Sequence, residues 1–236
     1  MKDIRLMDRV DSKFIAPVAL LPDLLEEMEP DFMVQENNNK LIAPYTTQYF
    51  DTPDMSFFVM HQNGKLTRQK IRIRSYVDVN QSFLEVKNKS NKGRTKKIRV
   101  PFDYQRIDSM EKLNEKWDFL AGHSIFDVNS LIPTLENSFR RITFANNNKT
   151  ERITLDTNLS FFNSKTNKGG DLESFMILEL KQNGYTHSRF HDIVRKLNIK
   201  PSAFSKYCTG IVMTDSDVKY NRFKKRLIKL NKLLNQ

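Results

Sequence analysis

Charged and apolar residues alternate with a period of two in five separate stretches of the chain. Gln69–Val77 reads QKIRIRSYV. Successive side chains of a strand point to opposite faces, so Lys70, Arg72 and Arg74 share one face and Ile71, Ile73 and Ser75 share the other. Ser82–Lys89 (SFLEVKNK) places Phe83, Glu85, Lys87 and Lys89 together. Thr95–Val100 (TKKIRV) sets Lys97 and Arg99 against Ile98 and Val100. Glu151–Leu159 (ERITLDTNL) sets Arg152, Thr154 and Asp156 against Ile153 and Leu155, and Phe175–Lys181 (FMILELK) sets Glu179 and Lys181 against Met176, Leu178 and Leu180. Helical spacing predicts helices over Pro17–Met28, from a Ser109 cap through Leu120, from a Thr186 cap through Leu197, over Ser202–Thr214, and over Tyr220–Leu234.

Five strands built to one plan admit two arrangements. One is an antiparallel sheet with its charged face in water. The other is a closed barrel turned inside out, with apolar faces packed outward on helices and charged faces lining a lumen. Arg and Lys dominate the charged faces, and each set keeps a carboxylate in fixed phase, which favours the lumen. Such a lining suits a ligand of many phosphate oxygens, because guanidinium and ammonium groups form charge-assisted bonds to them. The carboxylates would then pair with the cations or hold Mg²⁺ or Mn²⁺, hard ions that take oxygen ligands.

Composition agrees with a polyanionic partner. The chain has 236 residues, with 39 Lys and Arg against 28 Asp and Glu, a net charge of +11. This points to phosphates, nucleic acid or an anionic surface. A hydrophobic share of 39% with 17 Phe supports a folded core. The single Cys208 excludes a disulfide framework and a Cys-rich zinc module. It reads as a packed small hydrophobe. With 7 Gly there is no glycine-rich phosphate loop, and no GxGxxG, GxxxxGK[ST] or HExxH occurs. His187 and His191 have a spacing that can bind zinc, but no third ligand is near in sequence, so they read as a solvated or packed pair. The N-terminal segment has no apolar run of the signal-peptide kind, and no stretch approaches a membrane span. A cytoplasmic protein is expected.

Eight segments, in order, resemble the VTC domain, the polyphosphate polymerase domain of the vacuolar transporter chaperone complex and its bacterial relatives. They are RVDSKF (Arg9–Phe14), YFDTPDMSFF (Tyr49–Phe58), KIRIRSY (Lys70–Tyr76), FLEVKNKSNKGRTKK (Phe83–Lys97), FRRITF (Phe139–Phe144), RITLD (Arg152–Asp156), ILELK (Ile177–Lys181) and FSKYCTG (Phe204–Gly210). That domain belongs to the triphosphate tunnel metalloenzymes, with CYTH proteins and RNA triphosphatases. The resemblance implies an α+β fold, an eight-stranded antiparallel β-barrel with a charged lumen and helices around it. It implies a domain over residues 1–215, with 216–236 as a basic amphipathic helix packed on or extending from it. It implies transfer of the ATP γ-phosphate to a growing polyphosphate chain with Mn²⁺ or Mg²⁺.

Carried over by position, Arg72, Arg74, Lys87, Arg152 and Lys206 would act on the triphosphate. Lys13, Lys70, Lys89, Lys97, Lys181 and one of Arg140 and Arg141 would line the phosphate path, with Arg141 favoured by its phase with Thr143. Glu179 would be the main metal ligand, with Glu85 and Asp156 as further candidates. The sequence departs from CYTH hydrolases at their first-strand ExExK, where it reads Arg9-Val10-Asp11-Ser12-Lys13. This shifts weight from a triphosphate hydrolase or nucleotide cyclase toward the polymerase. A non-catalytic polyphosphate-binding module stays open, since the same residues would serve it. ATP and polyphosphate are the expected partners. A separate membrane protein would be needed for translocation, and no specific nucleic-acid recognition is expected. The segment Arg222–Lys232 (RFKKRLIKLNK) either packs its leucines on the barrel or docks on an anionic membrane at its inner face.

Overall fold

The alternating stretches pair into one antiparallel sheet of ten strands. A computed structural model describes residues 9–36, 38–184 and 186–234. The strands are β1 (Arg9–Pro17), β2 (Phe32–Val34), β3 (Ile42–Asp51), β4 (Arg68–Tyr76), β5 (Gln81–Lys89), β6 (Thr95–Phe102), β7 (Ile132–Asn146), β8 (Glu151–Asn163), β9 (Lys168–Asp171) and β10 (Phe175–Asn183). Eight follow the order β1-β10-β8-β7-β3-β4-β5-β6, while β2 adds to β7 and β9 to β8.

The sheet rolls up on its charged face. Lys13 on β1 lies within electrostatic reach of Lys70 on β4 and Lys87 on β5, although those strands stand near opposite ends of the order. The expected closure by hydrogen bonds is not made: among the described residues β1 and β6 do not pair. The segment before the fifth helix occupies the other edge of β1. Phe14 bridges Pro201, and the Ser202 N–H donates to the Lys13 carbonyl at 2.8 Å.

Two apolar clusters cover the outside, as the inside-out pattern requires. Ile71, Ile73, Leu84 and Val86 are fully buried beneath Phe57 of α2 (Ser56–Gln62) and Leu120 of α3 (Trp117–Ala121). Ile153, Leu155, Leu178 and Leu180 pack under Leu24 and Met28 of α1 (Leu21–Met28) and under Phe190, Ile193 and Val194 of α4 (Arg189–Lys196). Helix starts differ locally from the spacing. A 3-10 turn, Val18–Leu20, precedes α1, which has proline in its first turn. Met110–Lys116 is likewise 3-10, although Ser109 caps it as expected. The cap of α4 is Ser188, not Thr186, whose carbonyl accepts from Gln182 instead.

The third cluster lies inside. Helix α5 (Lys206–Thr214) lodges Tyr207, Cys208 and Ile211 against the inward residues Leu135, Phe139, Leu159, Phe161 and Ile177. It thus fills one end of the lumen. Asp51, at the end of β3, holds it there. Its carboxylate accepts from the backbone N–H groups of Thr52, Phe57 and Phe58 at 2.8, 2.8 and 2.9 Å and from the Tyr207 hydroxyl. Helix α6 (Asn221–Leu234) adds Phe223 and Leu230 to this cluster, with Lys224 and Lys225 exposed. The expected apolar contact of Leu234 lies outside the described side chains. No helix among the described residues is long and apolar enough to cross a membrane.

Gly210 is where α5 presses hardest on the sheet. A Cβ there would lie 2.5 Å from Phe161 Cδ1 and 2.6 Å from Leu135 Cδ2. Alanine normally favours a helix over glycine by about 1 kcal/mol. Overpacking of this kind costs about 1–3 kcal/mol. Gly210→Ala is therefore expected to lower stability in urea denaturation, opposite to the helix-propensity trend.

Candidate functional site: a cationic lumen

Strand pairing shows which side chains share the lumen. Lys13 stands opposite Glu179, Glu179 opposite Thr154, and Lys181 opposite Arg152. Arg141 stands opposite Asp156. On the other wall Thr47 and Tyr49 stand opposite Arg74 and Arg72, Arg72 opposite Glu85, and Lys70 opposite Lys87. Lys97 completes the row opposite Lys87.

Two buried carboxylates organise this charge. Glu85 is wholly buried, with Arg72 donating through Nε and Nη2 to Oε2 at 2.9 and 2.7 Å and Lys97 donating to Oε1 at 3.1 Å. Burial by itself raises the carboxyl pKa, but Arg72, Arg74 and Lys97 outweigh it and hold Glu85 at about 2. Asp156 receives Arg141 Nε at Oδ1 (2.6 Å) and Nη2 at Oδ2 (2.8 Å), and Lys206 also donates to Oδ2. Against the effect of burial, Arg141 and Lys206 keep it below the ordinary carboxylate range. Fork-like pairing of this kind fixes the guanidinium plane as well as the charge.

The remaining cations have less compensation. Lys70 donates to Ser205 Oγ at 2.9 Å. Burial, then Arg72, Lys13 and Lys70, push the Lys87 ammonium down to about 7. Burial lowers Lys181 to about 8 in spite of its 2.6 Å ion pair with Glu179. The Tyr49 phenol is also lowered to about 8, because Arg72, Arg74, Lys70 and Lys206 outweigh its burial. Both walls carry buried polar atoms without hydrogen-bond partners among the described residues: Arg74 Nε, Thr47 Oγ1 and both amide atoms of Asn137, which are cross-strand neighbours, and, on the other wall, Arg152 Nε and Thr154 Oγ1.

Most of the expected site residues converge here, with three departures. Arg140 is exposed on the outer face, opposite Pro44 and Thr157, so Arg141 is the lumen residue. Lys89 stands opposite Arg68, beyond the row formed by Lys70 and Lys87. The further metal candidates Glu85 and Asp156 do not join Glu179: both oxygens of each are taken by cations, and no group of three His, Cys, Asp or Glu forms among the described residues. His187 pairs with Asp192 at 2.9 Å. Glu179 remains the carboxylate suited to a metal. Lys181 engages its Oε2, it faces the orphaned Thr154 hydroxyl, and a divalent ion that takes further oxygens from a phosphate ligand needs only one or two carboxylates.

Sequence reading missed Tyr49, Thr47 and Asn137, because β3 and β7 carry no charge alternation. The polar side chains of Thr47 and Asn137 acquire meaning only beside Arg74.

A sequence profile of the family described as VTC domain matches residues 8–214. No curated protein matches the chain. Among solved structures, the fold is similar to a candidate adenylyl cyclase from Hippeastrum with a dominant triphosphatase activity: 16% identity, 88% of this chain and 97% of that chain covered, TM-score 0.53. A candidate adenylate cyclase from Bacillus halodurans covers 84% of this chain and 94% of its own at 14% identity, TM-score 0.51. The PH1819 protein from Pyrococcus horikoshii OT3 covers 87% and 98% at 16% identity, TM-score 0.50. At these identities the likeness speaks for the tunnel fold.

Lys87 would make binding of an anion in the lumen sensitive to pH. An anion beside it raises its pKa above the ligand-free value of about 7, so binding takes up a proton and weakens as pH rises beyond 7. Titration calorimetry with tripolyphosphate in buffers of different ionisation enthalpy is expected to show proton uptake near pH 8. Lys87→Gln is expected to bind more weakly and to lose that part of the uptake.

Proposed function

The chain belongs to the VTC domain family, and from that membership and the lining of the lumen we propose that it is a polyphosphate polymerase transferring the ATP γ-phosphate to a polyphosphate chain. The observation that carries the reading is the set of buried polar atoms without partners on the two cationic walls. A buried donor left unpaired costs about 1–3 kcal/mol. Arg74 Nε and Arg152 Nε recover that cost when phosphate oxygens enter.

The proposed mechanism is alignment and charge neutralisation. Arg72 and Arg141, held in plane by Glu85 and Asp156, present fixed forks to phosphate oxygens. Arg74, Arg152, Lys87 and Lys206 supply positive charge that offsets the negative charge on the γ-phosphoryl group as it moves. A terminal oxygen of the acceptor chain forms the new P–O bond, the bond from the γ-phosphorus to the β,γ-bridging oxygen breaks, and ADP leaves with that electron pair. No covalent protein nucleophile is required for such a transfer. A Mn²⁺ or Mg²⁺ ion held by Glu179 would supply further neutralisation of phosphate charge. The commitment of Glu85 and Asp156 to arginines favours this reading over a hydrolase that depends on several metal-binding carboxylates.

Purified protein with ATP, Mn²⁺ and a short polyphosphate primer is expected to release ADP and lengthen the chains on a gel. Arg74→Ala is expected to reduce both by about 100-fold or more. Glu179→Gln is expected to abolish synthesis while retaining polyphosphate binding. Phosphate release without chain growth would replace the polymerase by a tunnel hydrolase. Binding without turnover would leave a polyphosphate receptor.

A further inference from the structure

The helical cover of the sheet has a gap. Helices α1 and α4 shield one stretch of the outer face, and α2 and α3 another. Between them β2 and the start of β3 lie end to end along one edge of β7, with Val34 opposite Phe144 and Ile42 opposite Ile142. Phe144 belongs to the cluster beneath α1 and α4, and cross-strand partners share a face, so Val34 and Ile42 point outward. They are 42% and 47% exposed, and Leu25 on α1 is 37% exposed. A groove of about 420 Å³ opens between the C-terminal half of α1 and β2. Leu25, Met28, Phe32, Val34 and Phe144 floor it, and Glu26 and Glu29 rim it.

The charge of this face is opposite to that of the protein. From Phe14 to Asn39 the chain carries six carboxylates, Asp23, Glu26, Glu27, Glu29, Asp31 and Glu36, and no Lys or Arg, although the net charge is +11. Glu27 and Asp31 pair with Lys196 and Arg189 of α4. Glu26 and Glu29 are exposed and make no ion pair among the described residues. Arg140, exposed on the same face, stands four residues along β7 from Phe144, about 13 Å away from this rim. An apolar floor with a polar rim is the form of a protein contact site.

A fitting occupant carries cations around an apolar side chain, and α6 has that pattern. Phe223 and Leu230 turn into the inner cluster. Lys224, Lys225, Ile228 and Lys232 are exposed. Lys224, Ile228 and Lys232 recur every four residues and so form one stripe. Ile228 at its centre is 46% exposed.

We propose that the groove between α1 and β2 receives the exposed stripe of α6 from a second copy of this chain. Ile228 packs on Leu25 and Val34, and Lys224 and Lys225 meet Glu26 and Glu29. Exposed ion pairs contribute little each and are screened by salt. The apolar side chains therefore hold the contact, and the charges choose the partner and its register. Helix and groove are different surfaces, so the contact is heterologous: it is made twice in a closed pair or repeated along a row of copies. This inference does not depend on the reading of the lumen.

Sedimentation velocity of the full chain over a concentration series is expected to show reversible association. Ile228→Ser is expected to weaken it about tenfold, the loss of one buried aliphatic side chain. Glu26→Lys with Glu29→Lys, and Lys224→Glu with Lys225→Glu, are each expected to abolish it. These side chains are exposed, so circular dichroism and tripolyphosphate binding are expected to match wild type in every variant. Mixed in equal amounts, the two charge-reversed chains are expected to associate again, because each helix then meets a groove of opposite charge. A mixture that stays monomeric, or association that survives either reversal, would overturn the pairing of helix and groove. A wild type that is monomeric at every concentration would overturn the proposal and leave the groove to a different protein.

Discussion

Like charges confined inside a rolled sheet repel one another, and the rest of this structure answers that repulsion. Two cations 6 Å apart at an effective dielectric near 20 cost about 3 kcal/mol. Lys13 faces Lys70 and Lys87 across the lumen, and Arg72 and Arg74 stand beside those two on the same wall. The chain meets the cost in two ways. Arg72 and Lys97 share Glu85, and Arg141 and Lys206 share Asp156. Lys87 and Lys181, less fully compensated, become easier to deprotonate. What repulsion remains would be relieved by an extended anion.

The apolar half of the structure makes this charge tolerable. Each strand gives its other face to an outer cluster, so Ile71, Ile73, Leu84 and Val86 are bound to α2 and α3 while their neighbours along the strand hold Arg72 and Lys87 inward. A slip of one residue would exchange every cation for an apolar side chain. Register is therefore doubly specified, by burial outside and by ion pairing within.

Helix α5 joins packing to chemistry. Its first turn carries Lys206 to Asp156 and Ser205 to Lys70, and its next residues, Tyr207 and Cys208, enter the apolar plug. Asp51 ties Tyr207 to the start of α2 and so joins the helix inside the lumen to the end of β3. The guanidinium planes of Arg72 and Arg141 are set by Glu85 and Asp156 without any ligand, the kind of preorganisation that the proposed phosphoryl transfer would use.

Period-two alternation in QKIRIRSY and SFLEVKNK was sufficient to place Lys70, Arg72, Arg74, Glu85 and Lys87 on one side of their strands, because the faces of a strand follow from backbone geometry alone. The ordered motifs were sufficient for the family. Other features depended on contacts between residues far apart in the chain. Whether Glu85 holds a metal or an arginine was decided by Arg72 and Lys97 meeting it across two strand pairs. Arg141 was separated from Arg140 by the pairing of β7. The open edge of the barrel was set by Pro201 and Ser202 lying on β1, about 190 residues away from it in sequence. The orphaned atoms of Thr47, Asn137 and Thr154 belong to no local pattern. Strand phase is a property of neighbours along the chain, whereas the partner of a buried charge is a property of the space into which the chain has rolled.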